Sequence, residues 1–200
     1  LTMSKEVVAL VEALKAMQDH TTYKAGVEWG KPRGGHPEGK IGLHIEELER
    51  NLERLKKRVN ISEKEEAKLR LLIHAHDTLK VHARPGVPIM HPYSHASLAK
   101  DFLSHFIDDH DLLEMVQRHD EPYSLYRKHR KGHDINERMT EMLDAIEDLR
   151  TFILFNIIDS CVEGKKRDPL SWFLHQVDAE KRQGIDHSCI LPNLQVKQAT

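Results

Sequence analysis

Histidine stands out in this chain, with 15 in 200 residues against two cysteines, Cys161 and Cys189. Several stretches set a His or Asp within, or at the end of, a segment of helical periodicity: His44, His76-Asp77, His95, His119-Asp120 and Asp159. Neutral imidazole combined with carboxylate suits Fe, Mn, Co, Ni or Zn better than Ca or Mg alone, with Mg kept as a further candidate. Each ligand would come from a different helix, which is how a bundle builds a metal site in its core. A His followed at once by Asp lets one turn offer a nitrogen ligand and a carboxylate able to bridge two ions. Two ions roughly 3.5–4 Å apart can clamp a phosphoryl group and activate a water between them. A plainer reading stands beside this one. A single His on an apolar helix face is more often a packed core residue than a ligand. His110-Asp111 and His133-Asp134 show that such pairs also arise by chance in so histidine-rich a chain. Composition and spacing leave both readings open.

Helices must position these residues, because the apolar periodicity is helical almost throughout and no window alternates long enough for a strand. A first helix follows Ser4, a suitable N-cap, with Val7, Val8, Leu10, Val11, Leu14 and Met17 on one stripe. Between Asp19 and Lys40 the glycines and prolines predict an ordered loop whose tip, Lys31 to Gly35, is basic. A second helix carries Ile41, Ile45, Leu48, Leu52 and Leu55 and stops near Asn60. Ser62 and Glu65 form a capping-box signature for a third, with Leu69, Leu72, Ile73, His76 and Leu79. Pro85, Gly86 and Pro88 precede a fourth from about Pro92, and Asp109 or Asp111 caps a fifth that ends by His119. The basic stretch 126–133 reads as a connector, followed by one long helix from Ile135 to about Val162 with Gly164 as its stop. Pro169 opens a last amphipathic helix through Arg182. The expectation is an all-α, single globular bundle. Residues 1–20 form an N-terminal helix, 21–164 the site-bearing domain, and 165–200 a C-terminal helix and tail belonging to the same domain or to a self-interface.

Composition narrows the function. Thirty basic and 32 acidic side chains leave a net charge of −2, unlike the strongly basic domains held to nucleic acid by bulk electrostatics. No apolar run is long enough for a membrane span, and the start lacks the apolar region of a secretory leader, so the expected location is cytoplasmic. Two cysteines make neither a disulfide framework nor a zinc ribbon. No Walker or dinucleotide fingerprint can be written from the ten glycines.

Three ordered stretches carry a resemblance. His36-Pro37-Glu38-Gly39, His44 eight residues after His36, and His76-Asp77-Thr78-Leu79-Lys80 resemble the HD-domain superfamily, whose signature is a His, an adjacent His-Asp pair and a distant Asp. The likeness is to the HD domain attached to bacterial CCA-adding tRNA nucleotidyltransferases. It continues in His91-Pro92-Tyr93-Ser94-His95-Ala96 and in Arg118-His119-Asp120-Glu121-Pro122, which are similar to helix boundaries of two-metal members. One departure is Leu79, which stands where Gly is usual. The resemblance implies an HD-type bundle in which His44, His76, Asp77 and Asp159 hold one metal, and Asp77 bridges to a second held by His95 and His119. It implies hydrolysis of phosphomono- or phosphodiesters, nucleotides above all, by metal-activated water. One alternative on the same ligands is a diiron oxygenase; another is a non-catalytic module that binds a nucleotide or a partner.

The remaining candidates follow from position. Lys80 could bind a substrate phosphate as a point charge or simply stabilise a helix end. His36 and Glu38, in the glycine-rich loop, could line the cleft or, for His36, donate a proton to a leaving group; loop packing explains them equally. Arg33 on the same loop could meet a phosphate. Asp120 could orient His119 or act as general base. His91 lies four residues from His95 and could replace it, but Pro92 at a helix start favours His95 as the inward residue. His74 and His82 fall on other helix faces. Trp172, Phe173 and Val177 suit core packing or a homodimer face. The expected partner is a small phosphoester or nucleotide, with neither a membrane nor, by preference, a nucleic acid.

Overall fold

A computed structural model describes residues 3–34, 37–180 and 189–192. Helix α1 (Lys5–Asp19) is capped by Ser4, whose Oγ accepts the Val7 N–H at 3.2 Å. Helix α2 (Thr21–Val27) occupies part of the stretch expected to be loop. The His20 ring takes the place of a usual cap, its Nδ1 accepting the Thr22 N–H at 3.1 Å. Gly26, counted from sequence as a loop residue, lies on that helix where a Cβ would collide with the Thr78 backbone carbonyl. Glycine there is what lets α2 lie directly on the segment that follows Asp77.

Helix α3 (Ile41–Lys56) follows a turn in which Gly39 has φ +81°. Helix α4 (Glu63–Ala75) begins with the expected capping box: Ser62 Oγ accepts the Glu65 N–H at 3.2 Å while Glu65 accepts the Ser62 N–H at 2.8 Å. A 3-10 turn at Lys80–His82 leads to α5 (His95–Leu103) and α6 (His110–Arg118). Asp109 is the cap of α6, accepting the Leu112 N–H at 2.9 Å. Asp111 instead accepts the Glu147 and Asp148 N–H groups, 2.8 and 2.9 Å away.

Two expectations are corrected in the second half. The supposed connector 126–133 is mostly helix α7 (Glu121–Arg130), with Pro122 in its first turn and Leu125 buried. Its basic side chains crowd the last turn, where they complement the helix dipole. The supposed long helix is two, α8 (Asn136–Asp144) and α9 (Leu149–Ser160). The break lies at Asp148, which leaves helical geometry to accept the Thr151 N–H at 3.0 Å, while Asp111 takes the N–H groups the turn releases. Helix α10 (Asp168–Ala179) ends before Arg182, which lies outside the described residues.

Helix α4 sits in the middle, packed against α1, α3, α6 and α9. Helix α9 is apolar on nearly every face, the pattern of a buried helix rather than a surface one, and its residues from Phe152 to Ile158 are all buried. Helix α10 packs on α7 and α9 through Leu170, Phe173, Leu174 and Val177. Trp172 is partly buried against the rings of Tyr126 and His129, at 5.6 and 5.4 Å. The apolar face of the last helix is therefore used within the chain. Among the described residues there is no β-strand, and no helix is long and apolar enough to cross a membrane.

The Asp148 cap sets the start of the helix that delivers Asp159. Burial raises the Asp148 pKa, but the Thr151 N–H and hydroxyl, with Lys68, outweigh it and hold the carboxyl below its ordinary 3.8. A lowered folded-state pKa adds stability above the ordinary value, which is lost as pH falls through the folded value. Asp148→Ala is expected to cost about 1–2 kcal/mol near neutral pH, the worth of a good N-cap. Urea unfolding across a pH series should show the gap to the parent closing in acid below 3.8; a gap that stays constant would contradict this account.

Candidate metal centre

Helix ends bring the imidazoles together. His44 stands in the first turn of α3, His76 caps the C-terminus of α4, His95 opens α5 and His119 caps the end of α6. Asp159 is next to last in α9. The ring of Phe155, one turn earlier in that helix, packs edge-on against His76 at 5.3 Å and His119 at 6.5 Å. Backbone carbonyls set the tautomers. His76 Nδ1–H points at the Leu72 and Ile73 carbonyls, 3.1 and 3.0 Å away, and His119 Nδ1–H donates to the Val116 carbonyl at 2.8 Å. Each Nε2 is left with its lone pair facing inward, as in a metal-ligating histidine oriented through its other nitrogen. His44 has a carboxylate on either side, Glu38 Oε1 at 3.3 Å from Nδ1 and Asp159 Oδ1 at 3.1 Å from Nε2.

Asp77 lies at the junction. Its Oδ1 is 3.8 Å from both His95 Nε2 and His119 Nε2, and its Oδ2 is 3.5 Å from His76 Nε2. Lys80 Nζ donates to that Oδ2 at 2.5 Å. Potential ligand atoms of His44, His76 and Asp77 lie within 4.8 Å of one another, and so do those of Asp77, His95 and His119. Asp159 joins the first group, 3.9 Å from His76 Nε2. His76 Nε2 and Asp77 Oδ1 are buried without a hydrogen-bond partner among the described residues. Two inward acceptors of this kind carry a desolvation cost that a bound cation would offset, so the donor set fits a metal ion.

Electrostatics divide the site. Burial pushes the His76 pKa down to about 3 and lowers that of His119, so both rings are neutral. Burial also opposes a charge on His44, but its bonds to Asp159 and Glu38 prevail and raise it to about 9. Against burial, Lys80 above all holds Asp77 well below the usual carboxylate range, and Lys165 and His44 do the same for Asp159. Against burial, Asp120 is likewise held down, with its Oδ2 3.2 Å from His95 Nε2 and Lys80 contributing.

A cavity of about 620 Å³ opens beside the cluster, reached by His76, Asp77, Lys80, His119, Asp120 and Asp159. Lys165 and Lys166 line it too, and sequence alone did not single them out. Lys165 Nζ donates to Asp159 Oδ1 and Oδ2 at 3.0 and 2.9 Å. It reaches that carboxylate because the chain reverses at Gly164 (φ +80°), the residue read from sequence as a helix stop, which gave no sign of where Lys165 would turn. Glu38, expected at the substrate, turns to His44, and exposed Arg33 lines only a cleft of about 10 Å³ that it shares with Glu38 and Lys80. His36 lies outside the described residues. His91 is spent in a local turn, accepting the Tyr93 N–H at 3.1 Å. His74 accepts the Tyr23 hydroxyl proton at 2.6 Å and faces Glu49, away from the cluster, and His82 is exposed.

Compared with models of protein families, with curated proteins and with solved structures, the chain matches none. The geometry must carry the functional argument by itself.

A cation at His44 competes with the ring proton, so apparent affinity should rise with pH up to about 9, beyond the ordinary histidine value of 6.5. Metal titrations across pH, with proton release measured in weak buffer, read this directly. Asp77→Ala, which removes the residue common to both groups, should abolish tight uptake while leaving helix content intact. Uptake equal to the parent's would remove Asp77 from the site.

Proposed function

We propose that this chain is a metal-dependent phosphohydrolase of the HD type, acting on phosphoesters such as nucleotides through two divalent transition ions. The reading is supported above all by Asp77, a buried carboxylate shared by two clusters of potential ligands at helix ends. His44, His76, Asp77 and Asp159 would hold one ion, and Asp77, His95 and His119 the other. The imidazole–carboxylate donors suit Fe, Mn, Co, Ni or Zn. When bound, such ions supply an activated water at neutral pH and Lewis-acid stabilisation of the phosphoryl oxygens.

The chain's own residues contribute the rest. Lys80, Lys165 and Lys166 present ammonium groups to the cavity, point charges suited to phosphate oxygens. Lys80 and Lys165 also neutralise the carboxylates they touch, so a dianionic substrate does not meet bare Asp77 and Asp159. Ionised Asp120 stands at the wall with Oδ2 against His95 Nε2, where it orients that ring. Glu38 orients His44 from its outer nitrogen.

Elemental analysis of metal-reconstituted protein should find close to two ions per chain, falling to one in His95→Ala. Phosphate release from simple aryl phosphates should accompany full loading. Lys80→Ala should keep the metals but lower kcat/KM by about 10²–10³, the worth of a donor aimed at developing charge. Fully loaded protein that hydrolyses neither a phosphomonoester nor a phosphodiester would refute the hydrolase. If an iron-loaded sample then consumed oxygen with a substrate, the same ligands would belong to an oxygenase.

A further inference from the structure

The cluster opens on two sides. The cavity of about 620 Å³ reaches it past Asp159 and Lys165, whereas a groove of about 820 Å³ reaches it past His95. Asp120 and Tyr123 belong to both walls, so the two spaces meet at the cluster's edge. Their linings differ in chemistry. Beyond its lysines, the first contains Tyr126, Leu170 and Phe173. The second carries Arg127, Lys128, Lys131 and His133 opposite Val87 and Ile89.

Those cations outnumber the carboxylates of the groove, Asp120 and Asp134. Arg127, Lys128 and Lys131 form no ion pair among the described residues; Arg127 lies over the Tyr123 ring, 5.9 Å from its centroid. The two acids of the groove keep their charge but form no ion pair with these cations among the described residues. Asp134 Oδ1 accepts the Asn136 N–H at 2.9 Å, and Asp120 faces His95. A helix dipole accounts for the cations at the end of α7, Lys131 at its C-cap included, but not for His133 beyond it, nor for their place along a groove ending at a proposed metal ligand. With a net charge of −2, the chain is not generally basic, so this is a local feature.

We infer that the groove beside His95 is a second anion subsite, and that the substrate is a phosphoester carrying another phosphate group away from the one cleaved. The inference rests on the hydrolase reading only for which phosphate reacts. The reacting group lies at the cluster, the ester's organic body extends along one wall, and the distal phosphate meets Arg127, Lys128 and Lys131. Arg127 provides planar recognition, while the lysines act as point charges.

Calorimetry on the Mn-loaded chain tests it with alkanediol bisphosphates of increasing length, each against the matching alkyl monophosphate. At some length the bisphosphate should bind roughly tenfold more tightly, the order of one or two charge-assisted contacts, and the advantage should shrink as salt is raised. Arg127→Gln with Lys128→Gln should bring the ratio of the two affinities to within about twofold of unity, and Lys131→Gln should lower it independently. These side chains are exposed, so the fold does not depend on them. The subsite is overturned if no bisphosphate binds more tightly than its monophosphate, or if the advantage survives both variants. Phosphate release from an aryl phosphate in the same preparations scores the hydrolase separately. Activity without a bisphosphate advantage keeps the hydrolase and removes the subsite; an advantage without activity does the reverse.

Discussion

Asp77 is only 3% exposed, in the interior of a helical bundle. A buried charge is tolerated only when it is paired and hydrogen-bonded, and much of the surrounding arrangement follows from that demand. Lys80 reaches back from the next turn to one oxygen, and three imidazoles approach the carboxylate from the ends of α4, α5 and α6. His44 and Asp159 reach the cluster from within α3 and α9, and the other ligands reach it from helix ends. Of these, His76 and His119 are both C-caps.

Rigid support around the cluster comes from ordinary packing. The tautomers of His76 and His119 are set by carbonyls of the helix turns they close, groups with no partner farther along their own helices. Phe155 fills the space behind both rings, and its helix α9 is buried along most of its length. Glycine at position 26 lets α2 close over the backbone just after Asp77, where any larger residue would force the two apart. A preorganised site of this kind needs little rearrangement to accept a cation.

Legibility from sequence followed the range of the interactions. The caps at Ser4 and Ser62 and the apolar stripes of α1, α3 and α4 are local, and local rules locate them well. Helix α2 was hidden because glycines that serve close packing look the same as glycines that serve turns. Helix α7 was hidden because its polar face is long and only Pro122, Leu125 and Glu121 are buried. The division between α8 and α9 is made by the Asp148 cap together with Asp111, some 37 positions upstream, which accepts the Asp148 N–H. No window along the chain contains that bond.

By itself the sequence determined the class of the fold and the inventory of the site: helical periodicity, helix-end histidines, an adjacent His-Asp pair and few cysteines. These are properties of residue type and short spacing, which are encoded within a few turns. Tertiary structure alone decided which histidines converge, that Glu38 turns to His44, and that Lys165 stands against Asp159. It also placed a groove lined by α7 cations against His95. The Glu38–His44 and Lys165–Asp159 pairs each span six residues and depend on how the chain reverses between helix and turn. The histidines converge from positions far apart in the chain, and only the packing of the helices fixes the distances between them.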